Sequence, residues 1–357
     1  IVKQSSEEMK IMFLTGRQSQ HKIVVDTVKS INSKIKSGSN GISLVDIIGR
    51  EGMCDNIQPM TGECSCEIDI DERTKKIGRI KLTNMILEEP LHVEDIIKRA
   101  KKMNICPWAT ARLAAKSSDI IVCDYNHIFI ESVMERSLTT MGVALESTII
   151  IVDEAHNLPD RIRNGLERIV WIKTFQDSYF EVEEYLGTRE KEIKKIDVND
   201  TYGSKEIEDI SKLKVQINKL RKDMKKWFRD KENLLSDKND LKIETSEFLG
   251  VINESLMESL IVGENGDYAI MKKMVNQLFN VKVEVDDSSD LEQDENTACS
   301  KLGYMLSTCI EYRNSPALAL VIDKITESET IRVRSYLLDP GVISGPLFDK
   351  TRGAIIM

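Results

Sequence analysis

Two adjacent carboxylates, Asp153 and Glu154, close the run Thr148-Ile149-Ile150-Ile151-Val152. Side by side, such a pair can hold a divalent cation with one member and orient or deprotonate a water with the other. It does so only where the backbone presents both acids at an edge open to ligand. Five β-branched residues in succession predict a short strand, buried on both faces, of the kind found in parallel sheets. The carboxyl edge of an open α/β sheet is where ligands bind. The spacing therefore makes Asp153 a candidate Mg²⁺ ligand in nucleotide hydrolysis and Glu154 a candidate for orienting the attacking water.

A second group of reactive residues is sulfur. The seven cysteines are Cys54, Cys64, Cys66, Cys106, Cys123, Cys299 and Cys309. An odd count, with the first four gathered in one polar segment, points to intracellular metal chemistry and away from a disulfide framework. Four thiolates satisfy a structural zinc or an iron–sulfur cluster. The close pair Cys64-Ser65-Cys66, with single cysteines far to either side, lacks the Cys-x-x-Cys knuckles of a zinc ribbon and suits a cubane. Cys123 falls in an apolar strand, and Cys299 and Cys309 in helical sequence, so those three are expected in the core.

The elements around these residues read as a parallel-sheet domain interrupted twice. Lys10 to Thr15 predicts a strand, followed by a polar turn and a helix through Ile23, Val24, Val25, Val28 and Ile31. Ile42 to Ile48 is a further strand. From Glu51 the pattern breaks up; Glu67 to Asp71 alternates and is expected to pair with Ile77 to Leu82 as a hairpin, and His92 to Lys102 as a helix. The sheet resumes in Ser118 to His127, a strand followed by a turn. Leu158 to Ser315 gives almost no strand signal and reads as long charged amphipathic helices, with Asp286 to Asn296 an acidic loop. Ala317 to Ile322, Ile331 to Leu338 and Ala354 to Met357 then return to strands.

In bulk, 357 residues, 41% of them hydrophobic and 31% charged, make a chain of two or three domains. A net charge of −9 leaves DNA contact to local basic patches. These are Arg73, Lys75, Lys76, Arg79 and Lys81, then Lys98, Arg99, Lys101 and Lys102, with Trp108 and Tyr125 available to stack on bases. The basic run from Arg221 to Arg229 reads as a solvated helix face, and His21, His92 and His127 as ordinary surface or core residues. No apolar run reaches membrane-span length and the N-terminus has no signal-peptide pattern. An intracellular protein is expected, in a prokaryotic cytoplasm or a nucleus. The absence of an initial methionine suggests a fragment.

These residues together resemble the XPD-type iron–sulfur DNA helicases of superfamily two. Asp153-Glu154-Ala155-His156-Asn157 matches the family's Walker B box of Asp-Glu-Ala-His type. Gly49 to Cys54 resembles the segment leading into the first cluster cysteine, and Cys106-Pro107-Trp108 the family's Cys-Pro-Tyr at the last. Ile121 to Asn126 resembles its strand ending in Tyr-Asn, and Leu337 to Pro340 with Ala354 to Met357 its approach to the Ser-Gly-Thr box. The resemblance implies an α/β fold with a RecA-like first motor domain in three pieces, 1–50, 113–165 and 315–357. An iron–sulfur domain at 51–112 and a helical arch domain at 166–314 would interrupt it.

The same resemblance implies that Asp153 coordinates the Mg²⁺ of ATP, that Glu154 positions the water, and that His156 couples hydrolysis to domain movement. Cys54, Cys64, Cys66 and Cys106 would ligate a 4Fe–4S cluster. Arg50, Ser19 and Gln20 would touch DNA, with Tyr125 and Trp108 as stacking residues. The implied activity is ATP-dependent 5′-to-3′ unwinding of the nucleotide excision repair type by a monomer. Its partners would be single-stranded and fork DNA and a repair protein docked on the helical insert. No Gly-x-x-x-x-Gly-Lys-Ser/Thr phosphate loop occurs in the 357 residues, so the chain by itself is expected to hydrolyse ATP negligibly. The competing expectation is a non-catalytic, metal-bearing scaffold that descends from a helicase and binds DNA or protein.

Overall fold

The computed structural model describes residues 9–35, 41–54, 70–196, 201–235, 239–257, 268–282, 297–325 and 330–357. Two compact units emerge, one of Ile1–Gly165 with Pro340–Met357 and one of Leu166–Asp339. The first begins β1 (Lys10–Leu14), α1 (Gln18–Asn32), β2 (Leu44–Asp46) and α2 (Arg50–Met53). It continues with α3 (Glu72–Glu88), α4 (Val93–Met103), α5 (Pro107–Ala115), β3 (Ile120–Cys123), α6 (Asn126–Phe129), α7 (Glu131–Met141), β4 (Thr148–Val152) and α8 (Leu158–Leu166). The second holds β5 (Arg168–Trp171), α9 (Ile172–Ile196), α10 (Thr201–Leu234), β6 (Asp240–Ile243), α11 (Thr245–Met257), α12 (Ala269–Phe279), α13 (Ala298–Glu311), β7 (Leu318–Lys324) and β8 (Ile331–Leu337). The chain then returns to the first unit with α14 (Gly341–Lys350) and β9 (Gly353–Ile356).

The first unit is the α/β fold that the sequence predicts: a five-stranded sheet in the order β2-β3-β1-β4-β9, with every neighbouring pair parallel. β1 and β4 run in register from Lys10 opposite Thr148 to Leu14 opposite Val152. On β4, Thr148, Ile150 and Val152 are buried while Ile149 and Ile151 are half-buried, so one face is sealed and not both. Lys10 ties the sheet to the helix that follows Cys106. Its Nζ donates to the carbonyls of Ala115, Lys116 and Ser118 at 2.8–3.0 Å, capping the end of α5. A cation there satisfies carbonyls that a helix end leaves unpaired. Lys10→Met keeps the stem and deletes the donors; it is expected to destabilise this unit by about 2–4 kcal/mol, read as earlier unfolding in urea.

The hairpin expected across residues 67–82 is not what forms. Residues 67–69 lie outside the described residues, and the rest of the stretch is helical in α3. Asp71 caps that helix by accepting from the backbone amides of Arg73 and Thr74 at 3.1 and 3.0 Å; the Thr74 hydroxyl first, then these amides, lower its carboxyl pKa. Gly78, Leu82 and Ile86 recur every four residues. The two larger ones are buried, and a Cβ at Gly78 would lie 2.6 Å from Ile105. Helical spacing, not alternation, is therefore the operative period of this segment.

The second unit contradicts the strand-free reading of Leu158 to Ser315, because β5 and β6 lie within it. It also overturns the assignment of 315–339 to the motor sheet. β7 and β8 form as strands but pair antiparallel with each other, with β5 and with β6, in the order β5-β8-β7-β6. The buried side chains of β7 and β8, among them Leu320, Ile322 and Val333, join one core with Phe175, Ile217, Phe248 and Leu302 from the helices. That shared core binds 317–337 to the helical unit. Cys299 and Cys309 are fully buried in this core, as expected, and burial pushes the Cys309 thiol up to about 12. The acidic stretch 286–296 lies outside the described residues. Among the described residues, no helix is long and apolar enough to cross a membrane.

Candidate nucleotide and strand-binding site

The carboxyl edge of the parallel sheet gathers the ends of β1, β3 and β4. Asp153 and Glu154 leave β4 together. Asp153 N–H still bonds the Leu14 carbonyl at 2.9 Å, while Glu154 turns into the left-handed region at φ 51° and ψ 43°. A non-glycine residue there costs about 1–2 kcal/mol and persists only where neighbours hold it. The neighbours are identifiable. Ala155 N–H donates to the Met357 carbonyl at 2.9 Å, and the Tyr125 hydroxyl donates to the Asp153 carbonyl at 2.5 Å and the Glu154 carbonyl at 3.3 Å. Burial, then the charges of Asp153 and Glu154, raise the Tyr125 pKa, so the phenol keeps the proton it donates.

This geometry corrects one expectation outright. Tyr125 is 2% exposed and its ring lies against Gly16, where a Cβ would stand 3.3 Å from Cε2. It cannot stack on a base; it fixes the backbone of the carboxylate pair.

The side chain of Gln20 is likewise turned inward. The Thr15 hydroxyl donates to its Oε1, leaving its Nε2 to donate to Glu154 Oε1 at 3.4 Å. Ser19, one residue earlier, is exposed. His156 Nδ1 lies 3.2 Å from Glu154 Oε2, with both side chains largely in solvent. The structure thus brings Gln20, Asp153, Glu154 and His156 to one edge. Thr15 was invisible to sequence reasoning because its partner is set by the turn after β1.

Arg50 and Trp108 meet elsewhere in the same unit, on the elements that carry Cys54 and Cys106. Arg50 opens the single turn α2 that ends at Cys54, and Cys106 caps α5 by accepting from Ala109 N–H at 3.5 Å. Trp108 carries two guanidiniums: Arg50 at 5.4 Å and Arg112 at 4.1 Å from the indole centroid. Burial, then the Arg50 charge, lowers the Arg112 pKa. Arg112 went unread in the sequence, although its place one helical turn after Trp108 is the signal that finds it.

Cys54 and Cys106 are buried thiols outside any disulfide; Cys64 and Cys66 lie outside the described residues. Among the described residues no three of His, Cys, Asp and Glu converge as a metal site. Even so, the two thiols fit a cluster. Both are soft donors, Cys106 sits at a helix N-terminus that favours a thiolate, and Arg50 Nε is buried without a hydrogen-bond partner among the described residues. Such an orphaned donor beside Cys54 suits the negative sulfur of a cluster.

The DEAD_2 family pattern matches residues 3–169. The ATP-dependent DNA helicase CHL1 of Kluyveromyces lactis is 33% identical over 70 residues, 20% of this chain and 8% of the relative. The Fanconi anemia group J protein homolog of Gallus gallus is 32% identical over 74 residues, 21% of this chain and 6% of the relative. The Neurospora crassa helicase chl1 is 23% identical over 190 residues, covering 45% of this chain and 17% of the relative. The matched stretches thus span less than a fifth of these relatives. A solved structure described as an XPD helicase aligns with 98% of this chain and 50% of its own, at 15% identity and a TM-score of 0.43.

Proposed function

We propose that this chain, whose residues 3–169 match the DEAD_2 family pattern, is an XPD-like superfamily two helicase and supplies the water-orienting and strand-binding parts of an ATP-dependent DNA helicase. The observation that carries the reading is the carboxylate pair at the edge of β4, with Glu154 held in a strained conformation by Tyr125 and Gln20. Asp153 holds the Mg²⁺ that accompanies ATP. Glu154 orients and deprotonates the attacking water, and His156, on the same carboxylate, links the state of Glu154 to movement of the motor. The phosphates themselves need a phosphate loop that these 357 residues do not carry, so we propose that the chain alone hydrolyses ATP negligibly.

The strand-binding part is the cluster of Arg50, Trp108 and Arg112. Two like charges sharing one indole repel each other, and a phosphate placed between them relieves that repulsion while the ring edge meets a base. Exposed Ser19 and the cations of α3 and α4 add sequence-independent phosphate contacts. Cys54 and Cys106, with Cys64 and Cys66, would hold a 4Fe–4S cluster, which when bound supplies cross-linking for a segment poor in apolar residues. The polarity is proposed as 5′-to-3′ and the setting as nucleotide excision repair, by resemblance. So are monomeric action, an intracellular location and a repair protein docking on the helical unit.

Fluorescence anisotropy with labelled dT20 tests the strand-binding part directly. The wild-type chain is expected to bind, and Trp108→Ala or Arg112→Gln to weaken binding about tenfold or more, with affinity falling as salt rises. Equal affinity of wild type and both variants would remove this cluster from the strand path. In an ATP-hydrolysing protein that carries this chain, Tyr125→Phe is expected to lower kcat about tenfold with KM unchanged. The lost hydroxyl frees Glu154 without touching nucleotide, and a change confined to KM would assign Tyr125 to binding instead.

A further inference from the structure

The end of β2 carries a charge that neither hydrolysis nor thiolate ligation uses. Asp46 is completely buried. Its Oδ1 lies 2.6 Å from Nδ1 of His21, itself buried on α1. Its Oδ2 accepts from Val93 N–H at 2.8 Å, at the first residue of α4. His92 Nδ1 accepts from Glu94 N–H at 3.4 Å, which places the ring proton on Nε2. That buried Nε2 lies 3.7 Å from Asp46 Oδ2 and has no hydrogen-bond partner among the described residues. Three segments distant in sequence therefore close on one carboxylate.

A buried carboxyl group is an expensive way to join elements that apolar contact would join at lower cost. What it adds is a fixed register, since only one placement of α1, β2 and α4 satisfies every donor. The residues beside it give that register a consequence. Gln20, the neighbour of His21, is the group that donates to Glu154. Beyond Asp46, β2 leads through Ile47 and Ile48 to Arg50 and Cys54, and α4 leads toward Cys106.

We propose that Asp46 is a positioning residue that joins the cysteine-bearing insert to the glutamine touching Glu154. A shift of α4 when a strand engages Arg50 and Trp108 moves the carboxylate, the carboxylate moves His21, and His21 carries Gln20 in the same first turn of α1. The joint rests on the reading of Glu154 as the water-orienting group and of the insert as strand-binding.

The test uses the ¹⁵N-labelled 357-residue chain and two variants far in sequence from Gln20. Asp46→Asn keeps volume but replaces one acceptor by a donor. Val93→Pro deletes the α4 donor at a first-turn position where proline suits the helix, behind a His92 already at φ −69° and ψ 150°. The expected result is a displaced Gln20 side-chain amide resonance in both, with amide exchange in β1 and β4 unchanged. Asp46→Asn should also raise exchange at Val93 about tenfold, the loss of one good hydrogen bond. A Gln20 resonance that stays in place in both variants would overturn the joint and leave Asp46 a purely structural residue. If Asp46→Asn fails to fold, Val93→Pro decides alone.

Adding dT20 separates the two ideas. In wild type it should move the Gln20 resonance, and in Val93→Pro it should bind within about twofold of wild type without moving it. Binding that leaves Gln20 unmoved in wild type refutes the joint. No binding at all refutes the strand-binding reading, while the Gln20 displacement without DNA still decides for or against the joint.

Discussion

Replacing Glu154 by glutamine, in an ATP-hydrolysing protein that carries this chain, is expected to cut the steady-state rate by about 10²–10⁴-fold, the range for a lost general base. Glutamine preserves length, and its carbonyl oxygen can still accept from Gln20, so the strained turn and the Tyr125 bonds survive. What disappears is the negative charge proposed to orient water and take its proton. Asp153 is untouched, so Mg²⁺·ATP should bind with little change and KM should stay within about threefold. Asp153→Asn is expected to behave differently, losing nucleotide affinity as well as rate, because it removes the proposed metal ligand. Stopped-flow phosphate release with parallel nucleotide titration separates the two variants. A Glu154→Gln protein that hydrolyses at the wild-type rate would strip Glu154 of its role and leave its backbone conformation without a function.

The features of this site that could be read in advance are those whose cause is local. Five β-branched residues followed by two acids announce a buried strand and its exit, and β4 forms there and ends there. Tyr125 was misread because its role depends on carbonyls 28 and 29 residues onward, whereas local sequence shows only an aromatic after a strand. Asp46 is a similar case: its partners lie 25 and 47 residues away, and hydropathy sees merely a strand with an acid at its end. β5 has four residues, one of them an arginine placed over the Tyr304 ring, and its partner β8 lies more than 150 residues further along. No window of sequence contains that pairing. The misplacement of β7 and β8 has the same origin, since strand character was visible in both but the sheet they join was not. Ahead of α3, the alternation of Glu67 to Asp71 suggested a strand that Ile77 to Leu82 would pair with. The helical reading depended on Asp71 as a cap and on Gly78 against Ile105.

Loss of a single cysteine should have the second large effect. Protein purified without oxygen is expected to contain about four irons and four acid-labile sulfides per chain, the content of a Cys₄ cubane, and Cys106→Ser to retain less than about one of each. Serine is close in volume and keeps a hydroxyl able to cap α5, so the helix start should survive. A soft thiolate ligand does not. If the cluster holds the segment together, the loss extends beyond metal, because ligand binding stabilises the folded state in proportion to its affinity. Amide exchange in α3 and α4 should accelerate in Cys106→Ser while that in β1 and β4 persists. Cys123→Ser is the control: its thiol is fully buried in β3, and burial, with the charges of Asp124 and Asp46, raises its pKa far above the ordinary value. Such a thiol is a poor ligand at neutral pH, and iron should be retained. Zinc in place of iron would keep the four ligands and shift the function toward the scaffold. Wild-type protein with neither metal would mean that Cys54 and Cys106 are core residues, and that the insert is held by its apolar packing, Leu82, Ile86, Ile96 and Ala100 among it.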